Sequence, residues 1–390
     1  MKFNKWTLGL AAIGAVSLAS AARADEAKII PLQTTLANTT LSGYVDTAVQ
    51  YNLGNYSASS VVPAGTAQSK IDNFSLNDFD VALDHPMDST PWAAGYHVDL
   101  NWGTDAVGYG TATGTAATAV RQAYLALNTP IGSGIAWKVG VQDDIIGYEG
   151  NTDSANPNYT RSVGYFLEPT TLLGLIGSYT VNSLISVQGG IADATGSTPT
   201  TELSNKTLAG AVTLTAPDSW GFLKGGTATV GTLLNLEKEG NNNYYAGITL
   251  PTPVSALKVG ASFDLVSVAN AGVGNANNDS GWDIALYGNY QATDKLALNL
   301  RGEYFDLTGA TTPIAGTPGA FSNYYGDSNG KGEEVTATVS YALWANVTSR
   351  AEFRWDHVDE GSAFGASQTG APATFYGNSY ILALNLIYTF

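Results

Sequence analysis

The sequence predicts an all-β protein, a transmembrane antiparallel β-barrel of about 16 strands. Three observations lead there. Apolar and polar residues alternate with a period of two along most of the 390 residues. The links between these segments are long and short by turns. Aromatic residues gather near the segment ends, where a ring with a polar tip suits a membrane interface.

The first 24 residues stand apart from this pattern. Lys2 and Lys5 precede an uncharged, largely apolar stretch over 7–20, and Ala22-Arg23-Ala24 supplies small residues at a cleavage point. Residues 1–24 are therefore expected to be a signal peptide, with an apolar run too short to cross a bilayer as a helix. Residues 25–40 are expected to be a short periplasmic segment, and 41–390 the barrel. The longest uncharged stretch, between Glu168 and Asp193, is too rich in Ser, Thr, Asn and Gln for a spanning helix.

Composition excludes several classes. There is no cysteine, so no disulfide scaffold, thiolate metal site or cysteine nucleophile. The only histidines are His85, His97 and His357, which argues against a multi-histidine metal site. Seventeen basic residues against 33 acidic ones give a net charge of −16. Removing Lys2, Lys5 and Arg23 takes −16 to −19, a poor match for bare nucleic acid. With 44% apolar residues, the chain is not of disordered composition.

The strand candidates run in order over 41–52, 75–84, 93–101, 119–128, 135–142, 172–180, 184–192 and 206–215. They continue over 224–235, 243–250, 257–268, 281–290, 296–306, 333–342, 347–358 and 380–390. Each has about the 9–11 residues that a tilted strand needs to cross a bilayer. In 75–84, Phe79, Val81 and Leu83 alternate with Asp78, Asp80, Ala82 and Asp84. In 93–101, Tyr96, Val98 and Leu100 alternate with His97, Asp99 and Asn101. Leu296, Leu298 and Leu300 alternate with Ala297, Asn299 and Arg301, and Ala351, Phe353 and Trp355 with Arg350, Glu352, Arg354 and Asp356. The links 53–74, 102–118, 143–171, 193–205, 269–280, 307–332 and 359–379 are long, with 236–242 a shorter member of the same series. Tight links fall between them, including Pro130-Ile131-Gly132-Ser133, Asn182-Ser183 and Ala292-Thr293-Asp294, built from turn-forming residues. A soluble β-sandwich would also alternate. It would not place all its long links on one rim, nor Trp92, Trp102, Tyr165, Tyr244, Tyr245, Trp282, Tyr341, Trp344 and Tyr388 near strand ends.

The last strand carries Leu382, Leu384, Leu386, Tyr388 and Phe390 on one face. A terminal Phe390 with Tyr388 two residues before it resembles the closing strand of bacterial outer-membrane barrels. The resemblance implies an assembly signal read by the barrel-assembly machinery. Arg121-Gln122-Ala123-Tyr124-Leu125-Ala126-Leu127 resembles a strand common in porins. Tyr159-Thr160-Arg161-Ser162, followed by Glu168-Pro169, resembles the β-barrel porin-2 (OmpL-like) family. The likeness covers about 41–390. It implies an outer-membrane porin, a water-filled channel for passive diffusion of small hydrophilic solutes. It also implies a homotrimer in outer-membrane lipid, and a third long link folded inward as a constriction. The charged residues of that loop are Asp143, Asp144, Glu149, Asp153, Arg161 and Glu168. No cofactor and no metal are implied, and the Asp and Asn spacing in 143–158 matches no calcium loop.

If apolar residues face lipid, their neighbours line the lumen. Parity then assigns Asp46, Asp78, Asp80, Asp84, Asp99, Asp264, Asp283, Glu303, Glu334, Glu352 and Asp356 to the lumen. The basic side chains there are Lys138, Lys224, Lys258, Arg301, Arg350 and Arg354. The wall is net acidic, which favours cations or neutral solutes. The pore-lining set expected to matter most is Asp99, Lys138, Arg301, Glu303, Arg350, Glu352, Arg354 and Asp356. The ladder of Arg350, Glu352, Arg354 and Asp356 suits either a transverse field across the channel or ion pairs that hold the wall together. Two other classes compete. A barrel enzyme would need a nucleophile beside a base; His97 lies near Asp99, but no serine motif accompanies it, so no catalytic residue is assigned. A surface receptor or adhesin would act through loop aromatics such as Phe321, Tyr324, Tyr325, Phe364, Phe375 and Tyr376.

Overall fold

The computed structural model describes residues 38–53, 60–61, 70, 72–88, 90–108, 118–193, 206–236, 241–268, 279–307, 330–361, 364–366 and 374–390. The expected signal peptide lies outside the described residues, as do most of the expected 25–40 segment and the loop aromatics Phe321, Tyr324 and Tyr325.

Sixteen strands close into one antiparallel barrel: Thr40–Asn52, Asn73–His85, Ala94–Trp102, Thr118–Thr129, Ile135–Asp143, Thr171–Thr180, Ile185–Asp193, Lys206–Thr215, Thr227–Asn235, Asn241–Pro251, Leu257–Val268, Asp279–Gln291, Leu296–Asp306, Lys331–Trp344, Val347–Val358 and Asn378–Thr389. Each pairs with its sequence neighbour, and the first pairs with the last from Tyr44↔Thr389 to Asn52↔Ile381. Phe390 adds a rung: Gly43 and Phe390 exchange both backbone hydrogen bonds at 3.0 Å. A Cβ on Gly43 would lie 2.1 Å from the Asp80 carbonyl oxygen and 2.8 Å from the Phe390 ring, so only glycine fits this crossing. All sixteen expected strands are present, with ends within three residues of expectation. The largest shift is at 224–235. Its strand begins at Thr227 because 218–223 form a 3-10 turn and Gly221 and Gly225 take positive φ of 61° and 76°. Lys224 therefore sits in that turn, exposed and 3.1 Å from Asp218, not on the lumen wall.

The burial pattern is the reverse of a globular protein. Leu298, Leu300, Leu382, Leu384 and Leu386 are exposed on the outer face, as lipid requires. Their neighbours point inward, and many are charged and buried. Trp282, Tyr244, Tyr341, Trp344 and Tyr388 stay on the outer face near strand ends, and Trp92 is exposed in a tight link. Two expected girdle residues do not. Tyr245 is buried inside the wall, and Tyr165 lies in the 144–170 loop, where its hydroxyl donates to Asn151 Oδ1 at 2.6 Å. Phe364, expected as a loop-surface aromatic, is fully buried in a cluster with Val163, Leu167, Val266, Phe305 and Val358. It belongs to a small sheet in which Phe364–Ala366 pairs with Thr374–Tyr376 and with Ser60–Val61.

Candidate functional site

The third long link is the centre of the molecule. Residues 144–170 fold back against the inner faces of the wall, and local chemistry shapes the segment first. Asn156 ties a tight turn by accepting from the Gly150 amide at 3.0 Å and donating to the Gly150 and Thr152 carbonyls at 2.7 and 2.8 Å. Ser162 caps the short helix Val163–Leu167, accepting from the Tyr165 amide at 3.0 Å. Pro169 follows soon after, where a helix cannot continue.

Two strands then hold its backbone with charge, and a third supplies Glu334 to their arginines. Arg301 donates to the Thr160 and Arg161 carbonyls at 2.8 and 3.1 Å, and to Glu149 at 2.8 Å. The same guanidinium lies 3.2 Å from Glu303 and 3.1 Å from Glu334. Arg354 donates to the Arg161 carbonyl at 2.8 Å and to Asp356 at 2.7 Å. Arg350 donates to the Asp153 carbonyl at 3.1 Å. The acids grip the amides: Glu352 accepts from Tyr159 and Thr160 at 2.5 and 2.9 Å, and Glu303 from Val163 at 2.8 Å. Alternating Arg and carboxylate on one strand thus match the alternating C=O and N–H of one loop backbone. Arg301 and Arg354 have 0% exposure, so this part of the expected pore-lining set lies beneath the loop, not against open water.

The opposite wall uses other groups. Tyr44 donates to Asp78 at 2.6 Å and accepts from the Asp153 amide at 3.3 Å. The Tyr159 ring lies 5.4 Å beneath Lys70, which pairs with Asp105 at 2.6 Å. Burial alone would lower Lys70, but Asp105 beside it raises its pKa above the ordinary lysine value. Arg121 donates to Asp143 at 2.9 Å and pairs with Asp99, and Gln122 accepts from the Asp143 amide at 3.2 Å. His97 contacts Asp84 at 3.0 Å and stacks on Tyr124.

A third contact is apolar. Ile146, with Ile145 and Tyr148 against it, packs onto Leu172, Ile176, Ala192, Ala209, Leu233 and Tyr245. Tyr148 stacks on Tyr287 with ring centroids 4.0 Å apart. Two glycines open the space. A Cβ at Gly231 would be 2.6 Å from Ile146, and one at Gly260 would be 1.8 Å from the Tyr148 hydroxyl.

Every charged residue assigned to the constriction loop is accounted for. Asp143 pairs with Arg121, Glu149 with Arg301, and Asp153 with Arg161 at 2.6 Å. Asp144 and Glu168 have no cationic partner among the described residues and each has a buried oxygen without a hydrogen bond. Burial holds the pKa of both well above the usual carboxylate range, helped by Asp143 for Asp144 and by Asp264 for Glu168. The short-turn end of the lumen is more open: Lys138 is exposed, with its ammonium 4.6 Å over the Tyr124 ring, and Lys258 and Gln188 are exposed as well. Sequence reasoning did not single out Arg121 or Tyr44 as site residues. The spacing of Arg121 to Asp143 across paired strands was the available signal. Tyr388 and Phe390 stack on the outer face with centroids 6.4 Å apart.

Comparison with known proteins agrees with this architecture. The profile of the family described as "Putative beta-barrel porin-2, OmpL-like" matches residues 38–390. No curated protein matches the chain. Among solved structures, the outer membrane channel DcaP of Acinetobacter baumannii is 12% identical, with a TM-score of 0.59, over 90% of this chain and 97% of that one. OmpT of Vibrio cholerae, in its trimer form, is 14% identical, with a TM-score of 0.56, over 90% and 99%. An anion-selective porin from Comamonas acidovorans is 10% identical, with a TM-score of 0.54, over 90% and 99%. At these identities the likeness is one of fold.

Proposed function

Because this chain belongs to the OmpL-like β-barrel porin-2 family and is an outer-membrane porin, we propose that it is a narrow diffusion channel for small hydrophilic solutes, with a preference for cations or neutral molecules. It works without turnover chemistry or a cofactor. The 144–170 loop is its constriction.

The observation that carries the preference is the distribution of ion pairs. Among the described residues, Arg121, Arg161, Arg301 and Arg354 are all engaged by carboxylates. Among the described residues no Lys, Arg or His salt bridge reaches Asp46, Asp78, Asp80, Asp264 or Asp283, all at most 5% exposed on the inner wall. The formal charge beside the constriction is net acidic, since against these five carboxyls only Arg350 lacks a salt bridge among the buried arginines described, and the carboxyls that ionise attract cations and repel anions. Narrowness follows from burial: at the level of the loop, wall charges from Asp46 to Asp356 are almost wholly covered.

Export by the 1–24 segment, insertion by the barrel-assembly machinery through Tyr388 and Phe390, and a homotrimeric state complete the reading. An outer-membrane family match makes export and insertion necessary in some form, and the trimeric neighbour supports the third. The test is single-channel conductance in a planar bilayer, with reversal potential across a KCl gradient. Small stepwise openings with a cation-directed reversal potential are expected. An anion-directed potential, or no openings from folded protein, overturns the proposal.

A further inference from the structure

We propose that Glu333, His357 and Asp359 form a binding site for a divalent transition-metal ion on the outward face of the barrel, at the rim from which the long links leave. The three residues each place one ligand atom within 4.8 Å of the others. Two of them are brought together by register: Glu333 and His357 are direct partners between strands Lys331–Trp344 and Val347–Val358, so their side chains leave the same face side by side. Asp359 follows just past the strand end, where its amide donates to the Lys331 carbonyl at 3.0 Å.

The second observation concerns the imidazole. Asn378, the cross-strand partner of His357 on its other side, accepts from Trp355 Nε1 at 2.9 Å. An indole N–H can only donate, so the atom of Asn378 that receives it is the amide oxygen. The same oxygen lies 3.0 Å from His357 Nδ1. A carboxamide oxygen only accepts, so Nδ1 carries the proton and Nε2 carries the lone pair. This is the arrangement by which a second residue orients a metal-ligating histidine. The Trp355 ring stacks on the imidazole with centroids 5.8 Å apart and fixes its plane.

The carboxylates complete the donor set. Glu333 Oε2 is buried and has no hydrogen-bond partner among the described residues, an unfavourable state that a cation relieves. Asp359 is exposed and accepts from Tyr304 at 3.2 Å. The neighbouring cation, Lys331, lies 3.0 Å from Asp306. One imidazole nitrogen and two carboxylate oxygens suit Zn²⁺ and other first-row ions, whereas Mg²⁺ and Ca²⁺ prefer oxygen alone. Three protein ligands leave a fourth position for water or an outside oxygen donor. A bound ion would clamp the ends of two strands where the links 307–330 and 359–377 begin, stiffening the rim.

Zn²⁺ binding to the purified, untagged barrel in detergent tests the site, with Cu²⁺ as a spectroscopic probe. One Zn²⁺ per chain is expected, with affinity reduced at least tenfold by His357→Ala and by Glu333→Gln, and unchanged by His85→Ala. Asn378→Leu is expected to weaken binding roughly 10- to 100-fold through loss of imidazole orientation. Cu²⁺ should show nitrogen splitting in its electron paramagnetic resonance spectrum, lost in His357→Ala. Heat-dependent gel mobility confirms that each variant is a folded barrel. Absence of saturable Zn²⁺ binding, or full affinity in folded His357→Ala, overturns the proposal.

Discussion

The two flanks of the inner wall hold the same loop by different means. On the flank built from Leu296–Asp306, Lys331–Trp344 and Val347–Val358, three arginines and two glutamates bond a loop backbone at named atoms. On the flank from Thr171–Thr180 to Asn241–Pro251, Ile146 and Tyr148 are set among alanine, leucine and tyrosine side chains. The first contact is directional and fixes which loop atom faces which strand. The second is an area of apolar contact, which holds the loop down with little say in its register. A loop in a watery lumen needs both, because a polar seat alone competes with water and an apolar seat alone can slide.

Breaking the charged flank should have the largest effect. Arg301→Ala leaves Glu149, Glu303 and Glu334 buried without their shared cation, a loss on the scale of about 3–5 kcal/mol. Larger and noisier single-channel conductance is expected, along with faster hydrogen exchange at Tyr159 and Thr160. A quiet channel of normal size would show that the loop is held elsewhere. Ile146→Ala tests the other flank at about 2–5 kcal/mol; the same exchange experiment should show loosening at 144–149 while Tyr159 and Thr160 stay protected. Glu352→Gln keeps the shape and removes the charge from hydrogen bonds worth about 1.5–3 kcal/mol each when charged. It should give an intermediate rise in noise.

Acidity separates the flanks further. Burial and the Asp264 carboxylate raise Glu168 well above the ordinary glutamate value. The folded loop therefore favours the protonated form, and its seat is firmest at low pH. That seat should weaken as pH rises from the ordinary glutamate range toward the raised value. Open-channel noise should grow over that interval and the growth should vanish in Glu168→Gln; an unchanged pH profile in the variant removes Glu168 from this role. The smallest expected effect is that of salt. Cation preference from fixed charge in the lumen should shrink toward 1 M KCl as the Debye length falls to about 3 Å, and a preference that persists would point to pore size.

The wall was largely legible in the sequence because period-2 patterning is imposed by lipid on one side of every strand. The loop ladder was partly legible: Arg350, Glu352, Arg354 and Asp356 announced a charged inner face, but not that a backbone lay against it. What failed was the rule that apolar means lipid. Leu172 and Ile176 are apolar and face inward, where Ile146 covers them. The hint was present, since Leu172, Leu173, Leu175 and Ile176 make both faces of that strand apolar, and two apolar faces mean two covered faces. Tyr245 and Tyr165 were misplaced for a related reason. A ring near a strand end suits a membrane interface and a loop seat equally well, and only the fold of a distant segment decides between them.

The rung between Gly43 and Phe390 has a consequence for how this molecule comes into being. It joins the first strand of the wall to the strand Asn378–Thr389, so the ring has two raw edges until those two strands meet. Until then the sheet is an open ribbon whose edge amides and carbonyls must be sheltered by something else. Closure is thus a single event shared by two strands far apart in the sequence, with Gly43 and Phe390 as the catch of a clasp.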